Sequence, residues 1–189
     1  MLNTIKRQMA FQKSRPMVQP ACDVFINHHG VDTKRSIASL LYHQLVFLGI
    51  PSFLGNKNMK PGDKLFEHID NAILGCKIGV AVFSPRYCES YFCLHELALM
   101  METRKKVIPI FCDVKPSQLR VSDNKLCSQS ETKRFGYALE EAKNRTPNWA
   151  DVVTYAAELA ELVKESLIEV DNKKNTRLIT LESYTEYLY

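Results

Sequence analysis

The sequence predicts an α/β protein whose parallel sheet is covered by helices on both faces, in the doubly wound arrangement. Two observations support this prediction. Short apolar segments alternate along the chain with longer segments of helical periodicity. In addition, the two strongest strand candidates, residues 77–84 and 106–112, have few positions that would face solvent. Such strands are buried on both faces, which is typical of parallel sheets.

The first half of the chain predicts two strand–helix units. Residues 23–28 form the first apolar strand, and the helix that follows carries apolar residues at helical spacing up to Leu48, before Gly49. Residues 50–54 form a second short strand. After a polar segment, Asp63 is placed to cap a helix with apolar side chains at Phe66, Ile69 and Ile73.

The second half predicts two more strands and two helices. Strand 77–84 is followed by a helix that contains Glu96, and then by strand 106–112. The polar residues 113–130 are predicted to form a loop. A final helix from Trp149 to about Glu169 has an apolar stripe that would cover the sheet, formed by Val152, Ala156, Leu159, Val163 and Leu167.

One folded domain is expected, at residues 21–169. The leader, residues 1–20, contains four basic residues and no acid, and it is expected to be disordered. Residues 170–189 show no clear period and receive no structural assignment. The net charge of +4 comes from the leader, because the remaining 21 basic and 21 acidic residues cancel. A nucleic-acid-binding surface is therefore not indicated for the folded part.

Composition also bears on the compartment and on metal binding. The six cysteines form no C-x-x-C pair, and the five histidines show none of the usual metal-ligand spacings. Reduced thiols, a cytosolic or nuclear location and no metal site are therefore expected. A membrane span is not expected either, since no apolar run approaches roughly 18 residues.

Glu96 is the strongest candidate for a functional residue, because it is a carboxylate on a largely apolar helix face. Its neighbours three and four positions away are Phe92, Cys93 and Met100, none of which is basic. Two interpretations are open. Glu96 either reaches solvent at the rim of a core helix, or it belongs to a functional site.

The loop after the first strand is the second candidate, since doubly wound sheets bind ligands beyond the carboxyl ends of their strands. Residues 29–33 contain one glycine and match neither G-x-G-x-x-G nor a P-loop. The acidic residues of a phosphate-accepting receiver domain are absent from the ends of the first and third strands. Asp32 and Thr33 either cap the next helix or belong to a loop-to-helix start that receives an anionic ligand.

Four segments carry motifs that occur together, in this order, in one family. D-V-F-I-N-H-H-G-V-D-T at residues 23–33 is similar to D-V-F-L-S-F-R-G-E-D-T. F-S-P-R-Y at 83–87 resembles F-S-x-x-Y, and F-C-L-H-E-L at 92–97 resembles W-C-L-x-E-L. P-I-F-C-D-V-K-P-S at 109–117 is similar to P-I-F-Y-D-V-D-P-S. From residue 21 to 168 the chain therefore resembles the plant type of the Toll/interleukin receptor (TIR) domain.

The resemblance implies the TIR fold, with a five-stranded parallel sheet in flavodoxin-like order. It also implies two activities, docking to other TIR domains and cleavage of NAD as a substrate, without a cofactor or a metal ion. In plant-type domains the glutamate of C-L-x-E-L is catalytic, and it corresponds to Glu96. The positions that correspond to the family's substrate-binding residues are Gly30, Val31, Asp32, Thr33, Lys34, Arg35, Ser36, Gly62 and Phe92.

The chemistry of a carboxylate suits this reaction. Nicotinamide leaves a cationic ring as a neutral base, so the remaining task is to stabilise a ribosyl cation. The apolar neighbours of Glu96 would shelter that interaction and would also raise the pKa of the carboxyl group by desolvation. Phe92 replaces the family's tryptophan, and it either stacks on a base or fills the core.

Several positions depart from the family pattern. His29 stands where arginine is usual, and Val31 replaces an acid. The pair Ser39-Leu40 stands where many plant domains carry Ser-His at a self-association surface. The pair Gly55-Asn56 replaces an acidic pair in the mobile loop of the family. Weaker contacts with phosphate or with partner domains are expected at these places.

Two functions of different classes follow. The first is an NAD glycohydrolase of plant immune signalling that releases nicotinamide with ADP-ribose or its cyclic forms, and that becomes active when TIR domains self-associate. The second is a catalytically weak adaptor that binds the TIR domains of immune receptors. The departures at His29, Val31 and Gly55-Asn56 favour the adaptor, whereas the presence of Glu96 favours the enzyme.

Overall fold

The computed structural model describes residues 22–33, 37–55, 65–121, 127–145 and 156–185. Its strands are β1 (Val24–His28), β2 (Ser52–Phe53), β3 (Ile78–Phe83) and β4 (Lys106–Phe111). Its helices are α1 (Gly30–Thr33), α2 (Ile37–Phe47), α3 (Leu65–Gly75), α4 (Tyr91–Glu102), α5 (Gln129–Asn144) and α6 (Ala156–Thr185). Short 3-10 turns lie at Tyr87–Glu89 and Pro116–Gln118.

The sheet is parallel, with the strand order β2-β1-β3-β4. In register, Val24 of β1 pairs with Ile78 of β3, which in turn pairs with Lys106 of β4. The α/β class with a parallel sheet is therefore confirmed. The prediction of five strands is corrected to four for the part of the chain that is described. The sequence itself contains four apolar strand segments, and the fifth strand was implied by the resemblance alone.

Two apolar cores enclose the sheet. On one face, Phe25 and Phe83 pack with residues of α3, α4 and α5. On the other face, Ile26, Val80 and Val82 pack with residues of α2 and α6. Successive residues of a strand point to opposite faces, so these apolar runs supply both cores at once. The doubly wound arrangement of helices follows from that burial.

Strand β1 presents a polar residue to the first of these cores. Phe25 and Asn27 are two residues apart, so Asn27 faces the same side as Phe25, towards α4. The helix approaches the sheet closely at Gly79, where a Cβ atom would lie 2.2 Å from Sδ of Met100. A residue without a side chain at position 79 therefore lets α4 settle against β3 and β1.

Helix α6 covers the second core, and Val163 and Leu167 of the predicted stripe are confirmed as buried. Ala160, Val163 and Leu167 are buried there. The helix does not end near Glu169 but continues to Thr185. Ion pairs fasten its exposed side to the strands, with Nζ of Lys77 2.9 Å from Asp171 and Nζ of Lys106 2.5 Å from Glu169. Charged residues interrupt the apolar period after residue 169, which is why periodicity alone ended the helix too early.

Helix α5 is absent from the sequence prediction. It begins in a capping box, in which the Ser128 hydroxyl accepts a hydrogen bond from the Glu131 backbone N–H at 3.3 Å, and Glu131 accepts one from the Ser128 N–H at 2.8 Å. Its buried side chains are only Phe135, Ala138, Leu139 and Ala142. Two of these four are alanines, so the apolar stripe is too faint to stand out among charged neighbours.

Several predictions concern residues outside the described ranges. They are the leader at residues 1–20, the departure at Asn56, the cap at Asp63, the substrate-binding positions Lys34, Arg35, Ser36 and Gly62, and the start of the last helix at Trp149 and Val152. The side chains of Ala156 and Leu159 in the predicted stripe also lie outside the description. These stay predictions. Among the helices that are described, none combines the length and the apolar character that a bilayer crossing requires.

Candidate active site

Glu96 lies at the carboxyl end of the sheet, where α4 packs against the last residues of β1. Helix α4 starts at Tyr91, and its N-cap residue Ser90 accepts a hydrogen bond from the Cys93 N–H at 3.3 Å. This start places Glu96 in the second turn, on the side that faces β1. There, Nδ2 of Asn27 donates a hydrogen bond of 2.6 Å to Oε2 of Glu96.

A buried network surrounds this contact. Asn27 and Tyr87 are both completely buried. Nδ2 of Asn27 also donates to the Cys93 carbonyl at 3.1 Å, and the Tyr87 hydroxyl donates to Oδ1 of Asn27. The same hydroxyl lies 3.2 Å from the Cys93 carbonyl. Glu96 is therefore fixed to the strand through its Oε2, while no described residue donates a hydrogen bond to its Oε1.

The environment of Glu96 favours its protonated form. Desolvation by the surrounding protein raises the pKa of the Glu96 carboxyl to about 7, against the lowering effect of the Asn27 hydrogen bond, and the charge of Asp70 adds to the rise. This direction agrees with the desolvation expected from the apolar helix face. Glu96 is partly exposed, so it lies at the rim of the core, but its Oε2 is bonded to a buried amide. Its assignment to a functional site stays a prediction.

Cys93 and Met100, two of the neighbours expected to shelter Glu96, are buried. Sγ of Cys93 donates to the His28 carbonyl at 3.4 Å, and desolvation together with the charge of Glu96 raises the pKa of this thiol to about 12. All six cysteines are free thiols. The thiol next to Glu96 is therefore protonated at neutral pH and is a packing group rather than a nucleophile.

Phe92 differs from those two neighbours, because 38% of it is exposed. Its ring stacks on Phe66 of α3, with 5.0 Å between the ring centroids and 27° between the planes. Phe66 is itself 45% exposed. Of the two interpretations of Phe92, core filling is therefore wrong, and an aromatic pair stands open to solvent one helical turn before Glu96.

Asp32 is the centre of a second polar cluster, which joins the first loop to the end of β3. Its carboxylate accepts hydrogen bonds from the Ser84 hydroxyl at 2.9 Å and from the Arg86 guanidinium at 2.8 and 2.6 Å. The backbone N–H of Arg86 adds a further bond at 3.1 Å. Partial burial opposes ionisation of Asp32, but the hydrogen bonds from Arg86 and Ser84 lower its pKa to about 2. Asp32 thus serves as a brace between two loops, and the interpretation as a helix cap is wrong for its side chain.

The remaining positions of the first loop form helix α1. Val31 is 75% exposed, and a Cβ atom at Gly30 would meet nothing within 4 Å, so the loop presents open space on that side. Thr33 is buried, and its hydroxyl donates to the His29 carbonyl at 3.0 Å. Nδ1 of His29 lies 3.3 Å from Oδ2 of Asp32. The histidine that replaces the family's arginine is therefore turned towards the Asp32 brace.

The sequence analysis did not assign a role to Asn27, Tyr87, Ser84 or Arg86. All four lie inside motifs that carried the resemblance, at the carboxyl ends of β1 and β3. The signal that would have found them is positional, because adjacent parallel strands bring their carboxyl ends together. Among the described residues, no group of three or more histidine, cysteine, aspartate or glutamate side chains is arranged to hold a metal ion.

Comparison with known proteins gives related domains in plants. A protein of Brachypodium distachyon, named as a probable 2′ cyclic ADP-D-ribose synthase, is 48% identical over 145 residues, which cover 75% of this chain and 64% of that protein. The TMV resistance protein N of Nicotiana glutinosa is 36% identical over 138 residues, which cover 65% of this chain and 12% of that protein. The chain thus spans less than two thirds of the length of these relatives.

A solved structure has the same fold. The TIR domains of the activated Roq1 resistosome, which directly recognises the pathogen effector XopQ, match 77% of this chain and 99% of that chain with a TM-score of 0.66 at 24% identity. The family model described as TIR domain matches residues 21–179. Sequence motifs, sheet order and family match agree, and the chain belongs to the TIR domain family.

Proposed function

We propose that this chain is an NAD glycohydrolase of plant immune signalling, with Glu96 as its catalytic residue. The observation that carries the proposal is the Glu96 carboxylate at the carboxyl end of the sheet, held through Oε2 by the buried Asn27 amide. Parallel sheets of this kind bind their ligands at that end. The Brachypodium distachyon relative, named as a probable 2′ cyclic ADP-D-ribose synthase, supports the same reaction class.

The reaction is cleavage of the bond between nicotinamide and ribose. The electrons of that bond leave with the pyridinium ring, which becomes neutral nicotinamide, so no general acid is required. The ribose carbon develops positive charge, and a fixed carboxylate stabilises it more strongly in a sheltered site than in water. Attack by water then gives ADP-ribose, whereas attack by a hydroxyl group of the same molecule gives a cyclic product.

The raised pKa of Glu96 constrains this mechanism. At pH 7 about half of the free enzyme carries the carboxylate if the pKa is about 7. The pyridinium charge of NAD favours ionisation of a neighbouring carboxyl group, so bound substrate restores the active form. Activity measured at low substrate concentration, which reports kcat/KM, should therefore rise with pH through about 7. When the enzyme is saturated, so that activity reports kcat, the same rise should occur at lower pH.

The substrate-binding roles belong to the loop from Gly30 to Ser36, to Gly62 and to Phe92. The Asp32 brace supports this assignment, because it fixes the first loop against Arg86 near the end of β3. The exposed stack of Phe92 on Phe66 offers a flat aromatic surface on which a base of the dinucleotide would stack. NAD is the substrate in this proposal, and the chemistry requires neither a cofactor nor a metal ion.

Self-association is the proposed switch. A second TIR domain would complete the site with its own loop, so the active form is an oligomer built by contacts between TIR domains, either copies of this chain or receptor domains. Leu40, at the position where the family's self-association surface carries histidine, is 56% exposed on α2. The proposed compartment is the cytosol or the nucleus.

The test is release of nicotinamide from NAD by the purified chain over a range of protein concentrations. The parent protein should release nicotinamide at a rate per molecule that increases with concentration. Glu96→Gln should lower kcat by at least about 100-fold, since it keeps an acceptor for Asn27 but removes the charge. Glu102→Gln is the matched control, because it alters another glutamate of α4, one that pairs with Arg134 at 2.5 Å.

Equal rates for the parent and for Glu96→Gln would contradict the assignment of Glu96. A parent protein that releases no nicotinamide, even when light scattering shows that it has self-associated, would contradict the enzyme proposal. That second result would favour the adaptor hypothesis, and binding to receptor TIR domains would then be the activity to measure.

A further inference from the structure

Asn27 is an unusual residue for its place in the fold. It is completely buried in β1, a central strand in which the three preceding positions are apolar. In the TIR motif D-V-F-L-S-F-R-G the corresponding residue is serine. A buried primary amide destabilises a protein unless both N–H groups and the oxygen are hydrogen-bonded. The partners of Asn27 therefore show what this residue does.

Each polar atom of Asn27 has a partner. One N–H donates to Oε2 of Glu96 at 2.6 Å, and the other donates to the Cys93 carbonyl at 3.1 Å. Oδ1 accepts from the Tyr87 hydroxyl. A carbonyl oxygen and an ionised carboxylate only accept, so reversing the amide would set oxygen against oxygen at two contacts. The three partners therefore fix the amide with its nitrogen towards Glu96.

We propose that Asn27 is a positioning residue, which holds Oε2 of Glu96 so that Oε1 is left to act on the ribose of the substrate. The inference rests on the proposed NAD cleavage, and it assigns the orientation of the catalytic carboxylate to one side chain. The Tyr87 hydroxyl donates a hydrogen bond to Oδ1 of Asn27 and so holds the amide on the side away from Glu96. Burial raises the pKa of the Tyr87 hydroxyl well above its usual value, so this group stays protonated and continues to donate to Asn27.

Serine at position 27 would not replace this arrangement. A hydroxyl group has one hydrogen and a shorter side chain, so it cannot donate to Glu96 and to the Cys93 carbonyl at once. An asparagine in this position therefore gives Glu96 a donor that a serine would supply only in part. Asn27 contacts the Glu96 carboxylate from β1 and does not itself need to contact the substrate.

The charged and titratable groups near Glu96 define what loss of Asn27 should do. Asp70 on α3 disfavours the carboxylate, and Tyr87 and Cys93 are neutral groups that cannot compensate. His28 contributes its carbonyl to Cys93 at the end of β1. The Asn27 amide is the hydrogen-bond donor that favours ionisation. Removing it should therefore raise the pKa of Glu96.

The first test needs no catalytic activity. The side-chain NH2 protons of Asn27 are followed by NMR in the parent protein between pH 5 and pH 9. They should shift with the same midpoint as the Glu96 carboxyl carbon, and the shift should disappear in Glu96→Gln. Asn27 protons that ignore the titration of Glu96 would overturn the proposal, whether or not the protein cleaves NAD.

The second test uses Asn27→Ser and measures kcat and KM for NAD across the same pH range. Its Glu96 carboxyl should titrate about one pH unit higher than in the parent, and at pH 7 its kcat/KM should fall about fivefold from lost ionisation alone. A further fall in kcat that persists at pH 9, with little change in KM, would measure the lost orientation. The rising part of the kcat/KM profile must shift by the same amount as the NMR titration midpoint of the Glu96 carboxyl.

Other outcomes separate this proposal from the function on which it rests. If the parent cleaves NAD and Asn27→Ser keeps both its pH limb and its kcat, the positioning role is wrong and the enzyme proposal stands. If the parent does not cleave NAD, the enzyme proposal itself fails. Should Asn27→Ser not fold, the NMR titration decides, because it needs no change at position 27. Asn27 protons that do not follow the titration of Glu96 would then overturn the positioning role.

Discussion

Glu96 and Asn27 lie 69 positions apart in the sequence, and their side chains meet because β1 ends and α4 begins at the same edge of the sheet. The sequence identified Glu96, since a charge on an apolar helix face is conspicuous. It could not identify Asn27 as the partner, because an asparagine at the end of a strand is also typical of a turn. Only the pairing of β1 with α4 distinguishes the two roles.

The pKa of Glu96 makes folding stability depend on pH. The carboxyl has a pKa of about 7 in the folded chain, against 4.5 as its ordinary value. The folded state therefore binds the proton more tightly, so ionisation of Glu96 removes stability as the pH rises from about 4.5 to about 7. Glu96→Gln is free of this loss, and relative to the parent it should gain about 1–3 kcal/mol between pH 5 and pH 8.

Urea unfolding at pH 5 and pH 8 measures that difference. Glu102→Gln is the control, because its carboxyl is bonded to Arg134, which lowers the pKa of Glu102, and this variant should gain nothing at pH 8. If the parent and Glu96→Gln differ by the same amount at both pH values, Glu96 titrates normally and the buried network does not perturb it.

At the level of helices and strands, the sequence predicted β1, β3 and β4 nearly to the residue. Their apolar runs are long enough to exclude other interpretations, and both faces of the sheet are buried. The sequence did not predict α5, where alanines at positions 138 and 142 carry half of the buried face. Alanines on the buried face of a helix allow close packing, but they add little to the hydrophobic periodicity that predicts a helix from sequence. The Ser128–Glu131 capping box was the local sign of its start.

The contact between α4 and β3 should be sensitive to one methyl group. In Gly79→Ala the new Cβ would lie 2.2 Å from Sδ of the buried Met100, so the helix or the methionine must move. The expected cost is about 1–3 kcal/mol in the free energy of unfolding. The cost should shrink in a Met100→Ala background, where the space is already open, and a urea-based double-mutant cycle measures this coupling. Strictly additive costs would show that Gly79 and Met100 are not in contact.

The whole molecule is a sheet between two cores, and both cores use the same strands. The site belongs to the first core, whereas α6 closes the second. The sequence predicted this division from strands that are apolar on both faces. It could not predict how far α6 extends, because the ion pairs of Lys77 with Asp171 and of Lys106 with Glu169 join residues distant in sequence.

Loss of packing in the second core should unfold the entire domain in one transition. Leu167→Ala removes a buried side chain of α6 and should cost about 2–4 kcal/mol. Ile168→Ala is the matched control, because the neighbouring side chain is 54% exposed and its loss should cost less than about 1 kcal/mol. Far-UV circular dichroism and near-UV circular dichroism, to which the buried aromatic residues of the first core contribute, should report the same urea midpoint for each variant. Separate midpoints would mean that the two cores unfold independently.

Alkylation of Cys93 can report how often the candidate site opens. Its thiol lies between α4 and the His28 carbonyl, 3% exposed, with a pKa of about 12, so alkylating reagents meet neither the sulfur atom nor its reactive thiolate in the closed state. Modification must wait until α4 parts from β1, which is also the movement that would separate Glu96 from Asn27. When the reagent reacts faster than α4 and β1 come back together, the rate at which Cys93 is labelled equals the rate at which Glu96 separates from Asn27, recorded in the mass of a single peptide.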